Sequence, residues 1–110
     1  MEGRIVIEGQ DIKQIGVVIK LDKDRRLIFD LNSFFELENK YETIEKAMTE
    51  VQKGSMKTIR YMFYLGLLNQ DESLTEDKVG RLITIDNLNN VMQGLAIAMT
   101  ISAPKIEEKN

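Results

Sequence analysis

RRLIFDLNSFFELENKY, residues 25–41, decides the fold, because the chain changes its periodicity inside it. Its first seven residues, Arg25 to Leu31, form a short apolar run with the character of a strand. From residue 32 onward the β-branched runs stop, helix formers dominate, and apolar residues recur in threes and fours. Toward the N-terminus, IGVVIKL at 15–21 and RIVIEG at 4–9 are also short and rich in Ile and Val. Polar or glycine-containing links separate these runs, and Asp22-Lys23-Asp24 is turn chemistry. Three antiparallel strands are therefore expected before residue 32.

Beyond that point, capping chemistry punctuates the sequence. Ser33 with Glu36 makes a Ser-x-x-Glu capping box and predicts a helix to about Tyr41. Thr43 caps a second helix, with Ile44, Ala47, Met48 and Val51 on one face and Gly54 as its stop. Ser55 caps a third, MKTIRYMFYLGLL, whose only charges are Lys57 and Arg60. Apolar side chains cover nearly all its circumference over a length of ~20 Å, which marks it as the central helix. After the polar loop 69–73, Leu74 and Thr75-Glu76-Asp77 supply staple, cap and acidic first turn for a helix to about Ile83. A last helix from about Ile85 to Ser102 presents Leu88, Val91, Met92, Leu95 and Met99 as its core stripe, and Pro104 prevents its continuation. No linker or repeat divides the chain. The expectation is one α+β domain over residues 1–104, with about three strands (about 4–31), four to five helices (about 33–102) and a charged tail at 105–110.

Composition narrows the function. A chain of 110 residues matches one domain, and it buries roughly two-thirds of its extended surface on folding. The balance of 15 basic against 18 acidic residues gives a net charge of -3, so no broad positive field draws in nucleic acid or anionic lipid. Histidine and cysteine are both absent. That removes the commonest general base, the commonest transition-metal ligand and the most reactive nucleophile, so no cofactor and no catalysis are expected. A lack of cysteine suits a reducing compartment, and the N-terminus has no basic start followed by an apolar run, so the cytoplasm is the expected location. No apolar run approaches the ~20 residues that span a bilayer.

The remaining candidates for chemistry read as surface. Asp22, Asp24 and Asp30 invite comparison with a calcium loop, but that register places Arg26 at a ligand position, Leu27 where glycine is needed and Ser33 where a bidentate glutamate belongs. Glu36, Glu38, Glu42 and Glu45 are spaced as helix-surface charges, and a carboxylate-dependent hydrolase would need an apolar pocket that the sequence does not announce. Gly3, Gly9 and Gly16 form no phosphate loop. Residues 75–102 imitate a helix-turn-helix, yet no basic residue lies between Arg81 and Lys105. A recognition helix meets phosphates and guanine edges with arginine or lysine, so DNA binding is not expected.

An apolar surplus is left over. Ile97, Ala98 and Ile101 fall outside the last helix's core stripe, and Tyr61, Tyr64 and Leu68 extend beyond any one face of the central helix. The interior of the bundle is the commoner destination for such residues, and another chain is the alternative. Met48, Met56, Met62, Met92 and Met99 fill gaps on the first account and line an adaptable surface on the second. Tyr61, Tyr64, Leu68, Ile97 and Ile101 are accordingly the candidate partner-contact residues.

Residues 27–47, LIFDLNSFFELENKYETIEKA, then 54–84, GSMKTIRYMFYLGLLNQDESLTEDKVGRLIT, then a final amphipathic helix, resemble the tail assembly chaperones of long-tailed, siphovirus-like bacteriophages. The resemblance covers roughly residues 25–103. It rests on Asp30-Leu31-Asn32, Leu37-Glu38, Gly54-Ser55, the central apolar helix, Leu74-Thr75-Glu76, Val79-Gly80 and Leu82-Ile83, all of them packing or capping positions. It implies a non-catalytic protein that keeps the tape measure protein soluble, helps recruit tail tube subunits around it, and is absent from the finished virion. It also implies possible homo-oligomers, and a longer frameshifted form joined near the charged tail. A small structural tail or head-completion protein would share the order of elements and is the alternative. Residues 4–21 match no motif of the family.

Overall fold

A computed structural model describes the backbone of residues 6–8 and all of residues 16–102. Along the chain lie β1 (Val6–Glu8), β2 (Gly16–Lys20), β3 (Asp24–Ile28), α1 (Leu31–Tyr41), α2 (Ile44–Gln52), α3 (Met56–Leu68), α4 (Glu76–Leu82) and α5 (Leu88–Ser102). The strands pair antiparallel in the order β1-β2-β3, with Val6 opposite Val18, Val17 opposite Leu27 and Ile19 opposite Arg25. The class is α+β, strands first and helices after. The expected strand residues 4, 5, 9 and 15, the stop at Pro104 and the tail at 105–110 lie outside the described residues.

The transition from sheet to helix comes earlier than the sequence suggests. β3 ends at Ile28, and the cap of α1 is Asp30 rather than Ser33. The Ser33 amide donates to the Asp30 carboxylate at 3.0 Å, and the Asp30 amide donates to Ser33 Oγ at 3.2 Å. The physical reason is the strength of the acceptor. A carboxylate takes a free helix amide better than a hydroxyl does, so Asp30 wins the cap and Ser33 fills the reciprocal position three residues on. Leu31 thereby becomes the first residue of a helix instead of the last of a strand.

The other caps fall where expected. Thr43, Ser55 and Thr75 accept from the amides of Lys46, Thr58 and Lys78. Gly54, at φ 86°, ends α2: its amide donates to Val51 and that of Ser55 to Glu50, which satisfies carbonyls the helix leaves open. α5 starts at Leu88, three residues after Ile85. Asn87 explains the delay, because its side chain accepts from the Thr84 amide at 2.8 Å and donates to the Leu82 carbonyl at 3.1 Å. Those bonds hold residues 84–87 as a turn.

α3 lies against β3, α1, α2 and α4, as its nearly all-round apolar surface demands, and α5 lies across β2 and β3. One core joins Val17, Ile19 and Leu27 of the sheet to Met62 and Phe63 of α3 and to Val91 and Leu95 of α5. Each such side chain contributes roughly 1.5–3 kcal/mol by leaving water. Gly66 sets how closely α3 approaches the sheet. A Cβ on Gly66 would lie 2.7 Å from a Leu27 methyl and 2.9 Å from the Phe29 ring, so α3 approaches β3 as closely as it does only because that position is glycine. On α5 the buried stripe is Val91, Gly94, Leu95, Ala98 and Met99, whereas Leu88 and Met92 are half-buried at its margin. Ala98, expected outside the stripe, is inside it: with Val91, Gly94 and Leu95 it completes the i, i+3, i+4, i+7 spacing of one face.

Candidate partner-binding surface

The expected contact residues occupy two places. Tyr61 and Tyr64 come together on α3, with ring centroids 6.2 Å apart, and Tyr41 of α1 continues the stack at 6.4 Å from Tyr61. The Lys40 ammonium sits 4.1 Å from the Tyr61 ring centroid and covers it. Burial, followed by the charges of Glu36 and Glu76, raises the pKa of the Tyr61 phenol above its usual range. Tyr61 is thus buried, and Tyr64 is half-buried against the core. Leu68 is half-buried at the end of α3, while Ile97 and Ile101, one turn apart on α5, are partly buried against the core.

The apolar side chains that stand in solvent are others: Leu31 at 81% exposure, Phe35 at 60%, Met56 at 61% and Ile85 at 88%. Leu31 and Phe35 belong to one surface. On α1 the inward side carries Ser33, Phe34 and Leu37, all buried. Residues 31, 35 and 38 follow the i, i+4, i+7 spacing of a separate outward stripe, and Glu42, the C-cap, follows at its end. That stripe is apolar at Leu31 and Phe35 and acidic at Glu38 and Glu42. Glu42 pairs with Lys46, which lowers the Glu42 pKa, whereas no ion pair joins Glu38 to another described residue. A readable signal existed in the adjacent Phe34-Phe35: consecutive helical residues point ~100° apart, so both cannot enter one core. Assigning Leu31 to a strand concealed its partnership with Phe35.

Asp22 does not gather with Asp24 and Asp30 around a centre. Its carboxylate takes two bonds from Arg25, at 2.7 and 3.0 Å, and the third branch of that guanidinium reaches Asp71 at 3.3 Å. Arg25 holds the Asp22 carboxyl down to about 2, and Ser73 followed by Arg25 lowers that of Asp71. No group of three potential metal ligands occurs among the described residues. A cleft of about 520 Å³ opens beside β3, lined by Val18, Leu67, Gln70 and the charged residues Lys23 to Arg26 and Asp71. Arg25 is tied into the two ion pairs at its wall, which fastens the β2–β3 hairpin to the loop after α3.

Among the described residues, no helix is long and apolar enough to cross a membrane. Compared with protein-family models, curated proteins and solved structures, the chain finds no match.

Proposed function

We propose that this protein is a non-catalytic chaperone of phage or prophage tail assembly, which binds the tape measure protein and helps recruit tail tube subunits in the bacterial cytoplasm. One observation supports this reading above the rest: Leu31 and Phe35 stand exposed, side by side, on a helix whose opposite face is packed into a core. Large apolar groups left adjacent in solvent suit a transient protein contact. The mechanism is reversible burial. A client's apolar helix face shelters on this surface, and tube subunits later displace it, so the chaperone leaves before the virion is complete. Several copies spaced along one long client, or joined as a homo-oligomer, gain from the high local concentration that a shared tether creates.

Co-expression with a fragment of the tape measure protein encoded beside it tests this reading. The fragment should move into the soluble fraction and co-purify with the chain. A client that stays insoluble, or recovery of the chain from purified particles, would instead point to a structural virion component.

A further inference from the structure

Resting on that binding role, we propose that the outward stripe of α1, residues 31, 35, 38 and 42, is the client dock, and that it takes a short amphipathic segment carrying lysine or arginine beside its apolar residues. Size is the first argument. A large side chain presents roughly 150–250 Å² in full, so a Leu and a Phe exposed to this degree offer on the order of 250 Å². A stable dimer needs roughly 800 Å² from each partner. The patch therefore suits one or two anchor side chains from a segment, and a second copy of this chain is too large an occupant for it.

Charge is the second argument. Along ~10 Å of helix the stripe passes from Leu31 and Phe35 to Glu38, and Glu42 follows at the C-cap. Glu38 is exposed and has no ion-pair partner among the described residues. Lys40, the basic residue of α1, is turned to the other side, over Tyr61. An incoming segment thus meets apolar surface at Leu31 and Phe35 and, one turn from Phe35, the unpaired carboxylate of Glu38, with Glu42 beyond it already paired to Lys46. Lysine or arginine one turn from the anchor gains a partner there, whereas glutamate is repelled.

The test uses the full chain, isotopically labelled, and two synthetic peptides with the same helical pattern of leucines, one completed with lysine and the other with glutamate. Amide shift changes on adding the leucine–lysine peptide should cluster at residues 31–42, and the leucine–glutamate peptide should bind at least tenfold more weakly. Phe35→Ser should weaken the lysine peptide tenfold or more, and Glu38→Lys should invert the preference. These side chains are exposed, so the variants should melt with the parent. Shifts confined to another face, equal binding of both peptides, or indifference to Phe35→Ser overturn the dock. Shifts on α1 that appear on concentrating the protein without peptide overturn it in favour of self-association. A tape measure fragment that still co-purifies with Phe35→Ser refutes this dock and keeps the chaperone role. A fragment left insoluble by the parent chain, with both peptides behaving as expected, refutes the role and keeps the dock.

Discussion

Thr58 shows how single atoms hold the helices together. It is buried, and its hydroxyl meets Tyr41 at 3.0 Å and the capping hydroxyl of Ser55 at 2.9 Å. Thr58→Val keeps the shape and removes both bonds, so denaturant melts should show a loss of about 1–2 kcal/mol. Gly66→Ala forces a methyl group into Leu27 and Phe29, and the same melts should show about 1–3 kcal/mol. Asp22 carries the pH dependence. Its carboxyl is depressed in the folded state to about 2, from an ordinary value of 3.8. The unfolded chain therefore binds a proton first as pH falls. The stabilisation is present in full above pH ~4 and disappears as pH falls toward ~2, with Asp71 adding to it in the same sense. Both groups lie at the surface, so water and salt weaken the effect, and Asp22→Asn should flatten the acid limb of a melting-temperature profile. Three of the four capping residues were legible in the sequence, because Thr43, Ser55 and Thr75 each precede a clear apolar repeat. Asp30 was not, since a residue that ends an apolar run serves a strand or a helix start equally well. The demand for glycine at 66 was invisible, because its cause lies on another element.

α1 is the element on which the binding account depends. Its inward side is anchored by Phe34 and Leu37, and its outward stripe touches no core, so the two sides should respond differently to change. Leu37→Ala should cost about 2–5 kcal/mol. Leu31→Ser and Phe35→Ser should each stay within about 0.5 kcal/mol of the parent, as surface changes do. Strain gathers at the other end of this helix. Glu42 has φ 78° and ψ -43°, a conformation that side chains disfavour and glycine tolerates. Glu42→Gly should raise the melting temperature despite the loss of the exposed pair with Lys46. The order and type of the elements were readable from periodicity. Their ends were less so, because the bonds of Asn87 to Thr84 and Leu82 hold as a turn the residues that the pattern assigns to α5.

At the scale of the whole molecule, a sheet, a central apolar helix and α5 share one core, and the apolar surplus read from the sequence divides in two. Most of the surplus on α3 and α5 is absorbed by that core, Tyr61 nearly fully and Tyr64, Ile97 and Ile101 in part. Of the four large apolar side chains that remain in solvent, the two that adjoin, Leu31 and Phe35, are on α1, a short helix whose sequence shows no unusual excess. Periodicity reports how much apolar surface an element has and leaves open which neighbours cover it, so the amount of surplus was legible and its location was not. The central claim is that the outward stripe of α1 engages a protein client. Light scattering on the purified chain mixed with a tape measure fragment, for the parent and for Leu31→Ser with Phe35→Ser at matched melting temperature, tests it most directly. The parent should form a complex of defined mass and the double variant should leave the client aggregated. Equal complexes from both proteins would contradict the claim.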